Sequence, residues 1–114
     1  MPDEGQPRVR KLYRRRLDPG KVGTYCDYHR SISAELESLY REHGLTSISS
    51  FLLGNDLCVL VEYDPVIYDR MGTQLDQHPL EKEWQSRMAE LNAPGAETLE
   101  YTEVYRMTEE PTRE

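Results

Sequence analysis

Hydrophobic and polar positions along the chain change period several times, and each change marks an element. Residues 8–17 mix Val9, Leu12, Tyr13 and Leu17 with long basic side chains in a broken alternation, which predicts a strand. Asp18-Pro19-Gly20 follows, a turn and helix-start signal in which Asp can cap and Pro suits the first helical turn. From Pro19 to His43 the apolar positions are Val22, Tyr25, His29, Ile32, Leu36, Leu39 and Tyr40, at three- and four-residue steps. That spacing predicts one helix, ended by Gly44 in the usual C-terminal position. Two apolar runs, 45–53 and 57–63, flank Gly54-Asn55 and predict an antiparallel hairpin. The second run, Leu57-Cys58-Val59-Leu60-Val61, is continuous enough for a strand covered on both faces. Asp64-Pro65 restarts helix over 65–75, and His78-Pro79 starts another over 79–91 with Leu80, Trp84, Met88 and Leu91 on one stripe. After the loop at Asn92-Ala93-Pro94-Gly95, residues 97–107 predict a last strand.

The order is strand, helix, strand, strand, broken helix, strand. It predicts an α+β, ferredoxin-like βαββαβ fold with a four-stranded antiparallel sheet covered by helices on one face. The other face needs a cover, and pairing sheets from two copies, a dimeric α+β barrel, is a common solution. The expected organisation is a single domain over 8–107 with tails at 1–7 and 108–114; residues 2–7 and 108–114 contain no apolar side chain.

Composition narrows the setting. No apolar run approaches the roughly 18 residues of a membrane helix, and the acidic, polar opening is unlike a secretory signal. Cys26 and Cys58 lack metal-ligand spacing, so neither a disulfide scaffold nor a metal site is expected. These features predict a soluble, reduced, cytoplasmic protein. Net charge is −7, yet six of the 14 basic residues lie between Arg8 and Arg16, leaving the rest with 8 basic against 21 acidic residues, or −13. That acidic remainder opposes a nucleic-acid partner. Alternation sends Leu12, Arg14 and Arg16 to one side of the first strand and Tyr13, Arg15 and Leu17 to the other. At least one arginine should therefore approach the interior, where it needs an anionic partner. Glu62, Glu103 or an acidic ligand would serve, so Arg14, Glu62 and Glu103 are possible pocket residues.

His29 is the most informative position. It lies four residues after Tyr25 on the same helix face, where the two side chains can touch. A ring so placed is a candidate general acid or base; the alternative is a core histidine satisfied by Tyr25 or a carbonyl. His43, at the helix end, has an ordinary structural role beside the negative end of the dipole. His78 either orients a helix junction or faces a cavity. Trp84 is either core or a stacking surface for a sugar, and Tyr13, Tyr25, Tyr101 and Tyr105 could add hydroxyls to one cavity. No P-loop, GxGxxG, HExxH, nucleophile-elbow or CxxC motif occurs.

The ordered set Tyr25-Cys26-Asp27-Tyr28-His29, Glu35-Leu36, Gly44, Phe51-Leu52, Leu57, Glu62-Tyr63, His78-Pro79, Trp84, Met88 and Glu103-Val104-Tyr105 resembles the L-rhamnose mutarotase family over residues 9–106. The resemblance implies a homodimeric α+β barrel that interconverts α and β anomers of a 6-deoxy sugar such as L-rhamnose or L-fucose, with no cofactor and no metal. It implies His29 as proton donor, Tyr25 as a substrate-binding tyrosine and Trp84 as the first of two tryptophans. The second tryptophan falls on Gln85 and a further ligand-binding tyrosine on Ile48; both are departures. Gln77-His78-Pro79-Leu80 and a helix-borne histidine are also similar to tetracenomycin-type polyketide cyclases. That gives one alternative, and a non-catalytic small-ligand-binding barrel gives another.

Overall fold

The structure, a computed structural model, describes residues 8–109. The expectation for 1–7 lies outside the described residues, as does that for 110–114. The elements are β1 (Val9–Arg16), a single 3-10 turn (Pro19–Lys21), α1 (Val22–Arg30), α2 (Ala34–Glu42), β2 (Leu45–Leu53), β3 (Asp56–Tyr63), α3 (Pro65–Gln77), α4 (Pro79–Ala89) and β4 (Leu99–Thr102). All strand pairs are antiparallel and the sheet order is β2-β3-β1-β4. This is the ferredoxin-like α+β arrangement.

Two elements depart from the expected boundaries. The helix expected over 19–43 is broken at Ser31-Ile32-Ser33. Ser31 Oγ donates to the Asp27 carbonyl, and Ser33 caps α2 by accepting from the Leu36 amide at 3.1 Å. Two serines thus offer the backbone local partners that compete with a continuous helix. The apolar stripe survives the break: Tyr25, Leu36 and Leu39 are all buried. The strand expected over 97–107 pairs only from Leu99 to Thr102. Beyond it, side chains replace the ladder. Arg106 donates to the Arg8 carbonyl at 2.9 Å, and Val104 and Tyr105 stand in solvent.

Register divides the sheet into two chemically different faces. Leu57 and Val59 of β3 pack in a core with Leu17, Tyr25, Met88 and Leu91 beneath the helices. Their partners across the ladders share that side: Arg15 and Tyr13 on β1, Leu52 and Ser50 on β2. A second core joins Leu36, Leu39 and Leu75, and Trp84 packs against both. The opposite face carries Arg10, Leu12 and Arg14 of β1, Cys58, Leu60 and Glu62 of β3, Phe51 of β2, and Leu99 and Tyr101 of β4.

Three junctions are held by side-chain caps. Asp18 accepts from the Gly20 amide, Asp64 from those of Val66 and Ile67, and His78 Nδ1 from that of Leu80. Gly44 joins α2 to β2 at φ +93°, where an added Cβ would stand 3.0 Å from both the Ile67 Cβ and the Tyr68 amide nitrogen. Gly54, in the hairpin, has φ +62° but open space around it. Replacing Gly44 by Ala should therefore destabilise the fold by roughly 2 kcal/mol or more, combining backbone strain with a clash. Gly54→Ala should cost about 1 kcal/mol, from strain alone. Urea unfolding of the two variants would check the order; equal losses would contradict it.

Candidate functional site

Tyr25 is the centre of the site. It comes from the first turn of α1, where its ring is 3% exposed and packed into the core. Its hydroxyl hydrogen-bonds Ser50 Oγ of β2 at 2.9 Å, and its carbonyl lies 2.9 Å from His29 Nδ1. The Tyr25 and His29 rings are 4.2 Å apart between centroids. Trp84 of α4 meets the other side of His29 edge-on, at 5.0 Å and 75°.

This geometry fixes the tautomer of His29. A carbonyl oxygen only accepts, so Nδ1 carries its hydrogen, and Nε2 is the position free to take up or deliver a proton. His43 makes the same Nδ1 contact to the Leu39 carbonyl at 2.9 Å, but it is buried at the end of α2 and serves structure. His29 is only half-buried. Nε2 of His29 has no hydrogen-bond partner among the described residues, and no fully buried side-chain polar atom among them lacks one. Nε2 therefore retains access to solvent.

Helix-facing positions of an edge strand are normally covered, yet Ile48 is 44% exposed and Leu52 37% exposed, and Ser50 between them is exposed too. The inner side of β2 is therefore left open to solvent at these positions, and Ser50 ties it to the hydroxyl of the buried Tyr25. Two shallow depressions elsewhere on the surface, about 400 and 500 Å³, touch none of His29, Tyr25 or Trp84.

Arg15 borders the same core. It extends from β1 opposite the fully buried Leu57, and its Nε donates to Asn92 Oδ1 at 2.8 Å. Burial holds its pKa below the ordinary arginine value, and proximity to the Tyr25 phenol opposes the shift. Burial raises the Tyr25 phenol in turn, against the lowering effects of Ser50 and Arg15.

The other expected residues lie apart. Arg14 and Glu62 occupy the outer face of the sheet, and Glu103 reaches that face through Arg10. Arg14 makes a two-pronged contact with Asp56 at 2.9 and 2.6 Å, and Arg10 bonds Glu103 at 3.1 and 2.6 Å. Arg14, Glu62 and Glu103 are therefore not part of a pocket with His29, because strand alternation separates them from it. Tyr101 shares their face and Tyr105 is exposed, so the single tyrosine-lined cavity is not formed. His78 caps α4 beside Glu35, Ser38 and Leu80. Gln85 turns away to donate to the buried Glu81, which also accepts from the Tyr40 hydroxyl. No cluster of three potential metal ligands occurs among the described residues.

With this geometry established, comparison with known proteins is informative. The sequence pattern of the L-rhamnose mutarotase family matches residues 10–110. The chain belongs to that family. Its members are isomerases. The solved structure of an L-rhamnose mutarotase from Formosa agariphila is similar, with 21% identity, a TM-score of 0.69, and coverage of 87% of this chain and 98% of that one. A conserved protein from Methanosarcina mazei Go1 (17% identity, TM-score 0.62, 91% and 100% covered) shares the fold. So does a NIPSNAP family protein from Agrobacterium tumefaciens (11%, 0.60, 89% and 90%). At these identities the structural likeness speaks to the fold alone. Among curated protein sequences none matches the chain significantly. Sequence reasoning missed Ser50, whose place beside Ile48 on alternating positions was the available signal.

The tyrosines give a direct check on this packing. Burial is the largest influence raising the pKa values of Tyr13, Tyr25, Tyr40 and Tyr68. A phenol whose folded pKa is raised contributes stability that is intact below about pH 10 and lost as pH rises toward the folded value. Alkaline titration followed by phenolate absorbance should therefore show these four tyrosines ionising only above the ordinary phenol range, as the fold opens. Ionisation of every tyrosine within that ordinary range would contradict the packing.

Proposed function

We propose that the chain is a cofactor-independent sugar mutarotase acting on the anomers of a 6-deoxy-hexose such as L-rhamnose or L-fucose, with His29 as its general acid–base. The observation carrying this reading is a half-buried histidine with Nδ1 committed to a carbonyl and Nε2 free, set between the rings of Tyr25 and Trp84. Family membership supplies the reaction class.

Mutarotation breaks the bond between C1 and the ring oxygen and remakes it on the other face of C1. In the forward step water takes the proton of the anomeric hydroxyl, C1 becomes an aldehyde, and the ring oxygen takes the Nε2 proton of His29 in its imidazolium form, leaving the neutral Nδ1–H tautomer. Rotation about C1–C2 and the reverse transfers complete the exchange. A single well-placed proton carrier, with a second polar group or water at the anomeric hydroxyl, is sufficient. Tyr25 orients the imidazole through its carbonyl, and its hydroxyl and Ser50 offer hydrogen bonds to the sugar. Trp84 supplies an apolar edge. Ile48 adds apolar floor. Gln85 contributes to the site only if it leaves Glu81.

The outer face of the sheet supports the homodimer. Leu12, Leu60, Phe51, Leu99 and Tyr101 give it apolar area, and two of its arginines, Arg10 and Arg14, are neutralised within the chain by Glu103 and Asp56. A second copy laid on this face would bury it. Free Cys26 and Cys58 suit a reducing cytoplasm, and no helix among the described residues is long and apolar enough to cross a membrane.

Dissolving a pure anomer of L-rhamnose and following optical rotation tests the activity. Wild type should shorten the relaxation, His29→Ala should lose about 100-fold or more of the enhancement, and Tyr25→Phe should lose several-fold. Identical curves with and without wild-type protein, for L-rhamnose and L-fucose alike, would overturn the assignment. Light scattering after size exclusion should give twice the chain mass, and Leu60→Arg should convert it to monomer.

A further inference from the structure

One ionisable side chain is buried on α4, and the mechanism above leaves it unused. Glu81 is 8% exposed, on the face of α4 that also buries Met88 two turns later. Both of its oxygens are engaged, by different donors. The Tyr40 hydroxyl of α2 donates to Oε1 at 2.5 Å, and the Gln85 amide of α4 itself donates to Oε2 at 3.0 Å. A carboxylate taken out of water needs such donors, and two of them set the plane of the group. Burial, and then the bond to Glu81, raises the Tyr40 phenol above its ordinary range. The phenol therefore keeps its proton, and the carboxylate accepts.

The place of Glu81 along α4 gives this bond a consequence for His29. Trp84 lies three residues later, on the same side of the helix, and its ring meets His29 edge-on at 5.0 Å. Trp84 packs against both cores, and Tyr40 and Leu80 pack against the second. Three residues further on, Arg87 stands over the Tyr28 ring of α1 at 5.6 Å. α4 is thus tied to α2 just before Trp84 and to α1 just after it. Apolar contacts hold a helix down but are non-directional, whereas a hydrogen bond weakens steeply as its angle opens. The Tyr40–Glu81 bond is therefore the directional contact that fixes where the first turns of α4 stand over α2.

We infer that Glu81, held by Tyr40, is a positioning residue of the proton-transfer site: it sets the Trp84 edge against His29 and so keeps the imidazole between the Trp84 and Tyr25 rings. This inference rests on the mutarotase reading and adds to it a residue that acts through another. Glu81 takes no proton from the sugar. Stability is not what it supplies, because apolar side chains in place of both partners of a buried polar pair are often no less stable. What an apolar pair would lose is the fixed distance and angle between α2 and α4.

Two readouts test it: kcat for anomer exchange of L-rhamnose, and the emission of Trp84, the only tryptophan in the chain. An imidazolium in contact quenches an indole, and imidazoles change charge between about pH 5 and 8. Wild-type emission should therefore fall on acidification, and His29→Ala should abolish that step. Tyr40→Phe and Glu81→Leu should each shrink the step and lower kcat roughly three- to tenfold, less than the ~100-fold that ~1 Å of misplacement can cost. Glu81→Gln, which keeps an acceptor for Tyr40, should retain most of both. The double variant Tyr40→Phe/Glu81→Leu separates position from stability: its urea midpoint should return close to that of wild type, while kcat and the emission step stay low. Recovery of all three together would overturn the inference. So would a kcat or an emission step unmoved in both single variants, or a wild-type step that survives His29→Ala. If the double variant does not fold, Tyr40→Phe and Glu81→Gln decide it by the same two readouts. No acceleration of any sugar by wild type would sink the mutarotase reading, and the emission step alone would then decide whether Glu81 positions Trp84.

Discussion

The site depends on Tyr25 being held at three points at once. Its ring is packed against Leu17, Leu57, Met88 and Leu91, its hydroxyl is tied to Ser50 on the edge strand, and its carbonyl sits against Nδ1 of His29. Each contact limits a different freedom. Core packing sets the depth of α1 over the sheet, the Ser50 bond sets its distance from β2, and the carbonyl contact sets the tautomer and rotation of the imidazole. A histidine on an exposed helix would sample several rotamers; here one is selected before any ligand arrives, which is the condition for efficient proton transfer.

The sheet divides charge and function between its faces. The outer face combines apolar area with two internal ion pairs, Arg10 with Glu103 and Arg14 with Asp56. On the inner face, β3 packs into the core through Leu57 and Val59, while Ile48, Ser50 and Leu52 of β2 are left exposed.

Much of the fold was legible because local and global signals agree. Asp18-Pro19, Asp64-Pro65 and His78-Pro79 all mark real helix starts, Gly44 sits at positive φ, and Gly54 turns the hairpin. The split of the first helix was missed because apolar spacing continues across Ser31 and Ser33, while their hydroxyls compete for the backbone. The short β4 was missed because Val104 and Tyr105 have strand propensity but nothing to pack against. In the site, the Tyr25–His29 pair was legible, since both partners lie on one helix and four residues is one turn. Arg14, Glu62 and Glu103 were grouped with them because strand alternation alone does not say which set faces the helices. Leu57 settles it: fully buried beneath the helices, it puts Arg15, directly opposite, on the inner side.

That assignment changes what the basic first strand means. Read as a run of charge, it resembles a polyelectrolyte patch. Paired off residue by residue, Arg8 faces Asp64, Arg10 Glu103, Lys11 Glu100 and Arg14 Asp56, Arg16 has no ion pair among the described residues, and Arg15 on the inner side is anchored by an amide. An amide fixes a guanidinium without neutralising it, whereas a carboxylate would fix and neutralise it together. The chain therefore holds Arg15 in place by a hydrogen bond to Asn92 rather than by an ion pair.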